Sequence, residues 1–102
     1  MNYIETVVTA ANLRNGTLYF KHPPSGFFPA DAYGSTPKHS AGKSVCVRAN
    51  ADTWQTDIVV KSSIHLRLRK RFYSIYKNLN VQVGDKVRLL RHAEREYEVI
   101  FV

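Results

Sequence analysis

The chain has 102 residues, 44% of them hydrophobic and 23% charged, a composition that fits one globular domain and excludes bulk disorder or a fibrous repeat. Fifteen Lys and Arg against eight Asp and Glu leave a net charge of +7, which suits a domain that meets a polyanion or a surface kept soluble by like charge. One cysteine, Cys46, excludes an internal disulfide and a paired-cysteine zinc site, and no apolar run approaches the ~20 residues of a membrane span.

In chain order, residues 1–5 lack the basic and apolar regions of a secretory signal. Residues 4–11 are ambiguous and are read as strand. Asn15-Gly16 is a hairpin-turn dipeptide, and Thr17-Leu18-Tyr19-Phe20 after it is β-prone. Residues 21–43 hold all four prolines and three of the five glycines, which excludes a central strand or a long helix there. Within that loop, residues 27–34 predict one short helix, with Pro29 in its first turn and Gly34 past its end.

Residues 44–48 read as a strand, Asn50-Ala51-Asp52 as a turn, and residues 53–60 as a strand rich in β-branched side chains. Cys46, between Val45 and Val47, is expected as a small buried hydrophobe, and Trp54 as core or rim packing. In residues 70–79 the apolar Phe72, Ile75, Tyr76 and Leu79 fall on one helical face. Arg69, Lys70 and Arg71 would crowd that helix's N-terminal end, a clash with its dipole that an external anion relieves. Val83-Gly84-Asp85 predicts a tight turn into a closing strand pair, residues 86–91 and 96–102.

The charge is unevenly spread. Residues 61–91 carry nine Lys or Arg and one acid, Asp85, whereas Glu94, Glu96 and Glu98 sit together near the C-terminus. In Lys61-Ser62-Ser63-Ile64-His65-Leu66-Arg67-Leu68-Arg69, polar and apolar residues alternate from Ser63 onward. An extended segment of that kind sets Ser63, His65, Arg67 and Arg69 on one face and an apolar anchor on the other. An arginine fork matches guanine O6 and N7; the bland alternative is an edge strand with a solvated basic face. The histidines at 22, 39, 65 and 92 lack metal-ligand spacing, so no cofactor is expected. No side chains are ordered as nucleophile, base and orienter, so no catalysis is expected either.

Taken in order, Phe27-Phe28-Pro29-Ala30-Asp31-Ala32-Tyr33-Gly34-Ser35, Thr56-Asp57-Ile58, residues 67–73, Val83-Gly84-Asp85-Lys86-Val87 and Tyr97-Glu98-Val99 form a set. This set resembles the B3-like DNA-binding pseudobarrel, in particular the DNA-recognition domain of some bacterial restriction endonucleases; plant transcription factors carry the eukaryotic relative. The resemblance runs over residues 17–102. It departs at Gly34-Ser35, where the family often has Gly-Gly, and at Phe72-Tyr73, where it often has Trp. It implies a mainly β fold, a seven-stranded open pseudobarrel with two short helices, in a single domain spanning residues 1–102. It also implies two arms that grip the major groove of double-stranded DNA.

By position, the first arm falls on residues 21–27 with Lys21, His22 and Ser25, and the second on residues 61–69 with Lys61, Ser63, His65, Arg67 and Arg69. Asp57 either accepts from cytosine N4 or has a structural role. Lys70 and Arg71, with Lys38 and Lys43, are the phosphate candidates, the last two being equally readable as solvated lysines. The function expected is target recognition in a restriction system, as a monomer, with any nuclease in another domain or chain. A transcription-regulatory domain of the same fold and a small RNA-binding barrel are the rivals. The expected location is the cytoplasm of a bacterium, or the nucleus of a eukaryote, with no membrane partner.

Overall fold

A computed structural model describes residues 2–21, 23–34, 44–62, 65–68 and 71–102. Alternation builds its strands. In the hairpin of β8 (Lys86–Ala93) and β9 (Glu96–Phe101), Val87, Leu89, Tyr97 and Val99 are buried, and Lys86, Glu96 and Ile100 face out. The hairpin turns at Glu94-Arg95. β1 (Tyr3–Val7) pairs antiparallel with β8 on one side. On the other, β4 (Val45–Ala49) runs parallel to β9 and antiparallel to β5 (Asp52–Thr56), giving the order β1-β8-β9-β4-β5. Val45, Val47 and Ala49 point inward from β4. Cys46 therefore lies on the opposite face, half-buried and free, which corrects the expected core position.

The strand expected over residues 53–60 is two strands. Thr56, Asp57, Ile58 and Val59 are buried in succession, which period-2 alternation does not permit in a one-sided sheet. The chain leaves the first sheet here, with the Thr56 hydroxyl donating to the Asp57 carbonyl at 2.9 Å. It then enters a four-stranded sheet ordered β2-β7-β6-β3. That sheet consists of β2 (Tyr19–Lys21), β3 (Tyr33–Gly34), β6 (Ile58–Ser62) and β7 (His65–Leu68). Both sheets feed one core, in which the fully buried Phe72 packs edge-on to Trp54 and stacks on Tyr76, centroids 5.8 and 5.7 Å away.

The ambiguous N-terminal segment divides between β1 and a helix, α1 (Ala10–Asn15). Thr9 caps it reciprocally: its hydroxyl accepts from the Asn12 amide at 3.1 Å, and the Asn12 side chain accepts from the Thr9 amide at 3.0 Å. Asn15-Gly16 is thus the stop of a helix and not a hairpin turn. Gly16 holds the left-handed conformation, φ 65°, common to both uses of the dipeptide. α2 (Tyr73–Asn78) is shorter than the apolar face suggested. Ile75 and Tyr76 are buried, but Leu79 lies at the C-cap, exposed, and Asn80 at φ 51° ends the helix. The helix expected over residues 27–34 is a single 3-10 turn, Ala30–Ala32, preceded by Pro29. Gly34 continues as β3, parallel to β6, and caps nothing. The result is the fold class the sequence implied, a mainly β open pseudobarrel with two short helices.

Candidate nucleic-acid interface

The first arm is a stiffened loop. From β2 the chain passes Pro23 and Pro24 into a turn closed by the Phe27 amide donating to the Pro24 carbonyl at 3.0 Å. Gly26, third of its four residues, has φ 81°, the left-handed value a type II turn demands there. Ser25 stands exposed beside it, and Lys21 is exposed at the arm's root. The arm's far end is buried among rings. Phe27 and Phe28 lie 5.6 and 5.1 Å from the Tyr97 ring, and Phe28 meets Tyr33 edge-on at 6.2 Å. The Tyr97 hydroxyl donates to the Phe27 carbonyl at 2.6 Å. Burial raises the Tyr97 phenol pKa, against the opposing pull of the Arg91 and Arg95 cations, and burial raises that of Tyr33 as well. Tyr97 thereby remains a protonated donor.

The second arm is the β6–β7 hairpin. Ile58 pairs with Leu68, Val59 with Arg67, Val60 with Leu66 and Ser62 with His65. The register shifts between Val60 and Ser62, which leaves Lys61 at the irregularity. β7 also pairs with β2, setting Tyr19 opposite Arg67 and Lys21 opposite His65. It is an interior strand and not the edge strand of the alternative reading. Because both partners run antiparallel to β7, the C-terminal ends of β2 and β6 lie at its N-terminal end. The two arms therefore leave the same end of one sheet, and Lys21, Lys61 and His65 are gathered there by backbone position.

Other expected residues fare differently. Asp57 is only 4% exposed, at the crossing between sheets, so burial favours its structural role over contact with a base edge. Arg71 is exposed but follows the opposite end of β7, away from the hairpin turn. Since α2 begins at Tyr73 with no side-chain cap, Arg71 does not sit in its first turn, and the dipole argument for a phosphate there falls away. The expectations for His22, Lys38, Lys43, Ser63, Arg69 and Lys70 lie outside the described residues. The aromatic anchor at Tyr97 went unread, although its signal was present as two adjacent phenylalanines in a proline-rich loop.

Charge separates the two sheets. On the five-stranded one, Glu5 bonds Arg88 at 2.9 Å, and Arg88 lies 4.9 Å from the Tyr3 ring. Glu98 bonds Arg48 at 3.1 Å and His92 at 2.8 Å, and these hydrogen bonds, His92 first, hold its carboxyl below the ordinary value. Arg95 pairs with Asp31. The strands of the four-stranded sheet contain no carboxylate. Residues 6–30 and 58–84, which supply both arms and both helices, contain no Asp or Glu at all.

No known family model and no curated protein matches this chain. Among solved structures, that of a hypothetical protein of Arabidopsis thaliana aligns with 98% of this chain and 88% of its own, at TM-score 0.54 and 14% identity. A likeness at that identity bears on the fold alone, and there it agrees with the open pseudobarrel described above.

Proposed function

We propose that this chain is a sequence-specific double-stranded DNA-binding domain that reads the major groove through its two arms. One observation carries the reading: the pairing of Lys21 with His65 sets the roots of both arms side by side, at one end of a sheet without carboxylates. Lysines there neutralise phosphates and release counterions. Ser25 at the first arm's turn and Arg67 on β7 are the base-reading residues of choice, a guanidinium fork matching guanine O6 and N7. The B3-like residue pattern supports target recognition in a restriction system, with cleavage in another domain or chain. A transcription-regulatory role for the same interface is the second reading, since plant transcription factors carry the eukaryotic relative of that residue pattern. In either setting the domain binds as a monomer and does not cut by itself.

Selection of bound duplexes from a random pool tests the proposal. A short enriched motif is expected, and Arg67→Ala should cost about 1–3 kcal/mol on that motif while relaxing preference at one base pair. Recovery of unenriched DNA by the intact chain would contradict sequence reading. Cleavage of plasmid by the pure chain with magnesium would contradict the non-enzymatic role.

A further inference from the structure

We infer that Arg14, Arg71 and Lys77, set around Tyr73 at the junction of the two helices, form a second contact for the phosphates of the bound duplex, outside the arms. The junction is rigid. The Phe72 amide donates to the Gly16 carbonyl at 2.8 Å, which ties the approach to α2 onto the stop of α1. The Tyr73 ring lies directly over Gly16: a Cβ added there would stand 2.7 Å from a ring carbon. The Tyr73 hydroxyl donates to the Arg14 carbonyl at 3.2 Å. The ring is thus held at both its face and its tip, yet Tyr73 remains 48% exposed.

Three cations flank this fixed ring by backbone position. Arg14 stands in the last turn of α1, two residues before Gly16, Arg71 precedes Phe72, and Lys77 shares the Tyr73 face of α2 at i+4. All three are exposed, and among the described residues no carboxylate pairs with any of them. Both contributing stretches, residues 6–30 and 58–84, are free of acids, so no carboxylate of either stretch stands between the arms and this junction along the chain. The occupant is therefore a polyanion long enough to reach both. The arms emerge at the N-terminal end of β7 and the chain goes on to the junction from its C-terminal end, three residue steps or about 10 Å of strand away. That spans about three base-pair steps of duplex, so phosphates flanking the arms' site come within reach.

This inference rests on the DNA-binding reading, and the test separates the two. The intact chain and the triple variant Arg14→Ala/Arg71→Ala/Lys77→Ala are titrated over a salt series. The probes are random-sequence duplexes of about 12 and about 24 base pairs and a single strand of the longer length. The intact chain should show a steeper salt slope on the long duplex than on the short one. The triple variant should lose about two to three units of slope on the long duplex, and each single substitution about one. All substituted side chains are exposed, so melting temperatures should be unchanged. A triple variant that keeps the full slope on the long duplex overturns this inference and leaves the arms untouched. An intact chain that binds neither duplex overturns the DNA-binding reading, and this one with it. A loss confined to the single strand also overturns it, in favour of Tyr73 as a stacking platform.

Discussion

The strands of the five-stranded sheet hold four carboxylates (Glu5, Asp52, Glu96, Glu98) and four Lys or Arg (Arg48, Lys86, Arg88, Arg91), whereas those of the four-stranded sheet hold Lys21, Lys61 and Arg67 and no acid. The first sheet is charge-balanced within itself, and two of its four cations, Arg88 and Arg48, already have partners in Glu5 and Glu98. The second has cations that only something outside the strand set can neutralise. Composition reported a basic protein; topology shows that, within the strands, the excess falls on the sheet from which the arms emerge. The difference separates two tasks. One sheet balances its own strand charges, and the other carries the charge on which the proposed DNA contact relies.

The two halves share a core, and the largest expected effect is on that shared part. Phe72 is fully buried between Trp54 of β5 and Tyr76 of α2. Phe72→Ala should cost about 3–5 kcal/mol in urea unfolding, with a single transition for both sheets. Two separate transitions would show that the halves are independent and would weaken the comparison.

Tyr97 bridges the halves, since it belongs to β9 but holds the far end of the first arm through the Phe27 carbonyl. Tyr97→Phe should cost about 1–2 kcal/mol in stability, because it leaves a buried carbonyl without its donor. It should also weaken DNA binding by loosening the arm. Equal stability loss with unchanged DNA affinity would confine Tyr97 to the neutral half.

The smallest effect is expected on the ion pairs of the five-stranded sheet. Glu98 titrates below its ordinary value of 4.5 because His92 and Arg48 bond the charged form. A folded-state value below the unfolded one stabilises above the ordinary carboxylate pKa, and that contribution is lost as pH falls through the folded value. Glu98→Gln should therefore cost about 0.5 kcal/mol at neutral pH and nothing in strong acid. Thermal melts across that range check the sign, and DNA affinity should not follow it.

The closing strand pair was legible because one-sided burial imposes period 2, as in Tyr97, Val99 and the polar Glu96 and Glu98 beside them. The break at Asp57 was not, since four buried residues in succession look like one strand when the second sheet is unseen. Asn15-Gly16 misled because a helix stop and a hairpin turn ask the same backbone conformation of glycine. The α1 start was encoded by Thr9 and Asn12, but with asparagine in place of the usual acidic or glutamine partner. Of the site, the two arms could be placed along the chain by resemblance. Their meeting, Lys21 beside His65, is a tertiary register that local patterns do not contain.

The most direct measurement compares two charge-removal variants on duplex DNA over a salt series. One is Lys21→Ala/Lys61→Ala/Arg67→Ala on the four-stranded sheet, and the other Arg48→Ala/Lys86→Ala/Arg88→Ala on the five-stranded sheet. Both lower the net charge by the same amount. The first should reduce the slope of log K against log salt by about two to three units with little change in melting temperature. The second should lower stability by about 1 kcal/mol and leave the slope near that of the intact chain. Equal slope losses in the two variants would mean that DNA senses only net charge, and would contradict the assignment of binding to one half of the barrel.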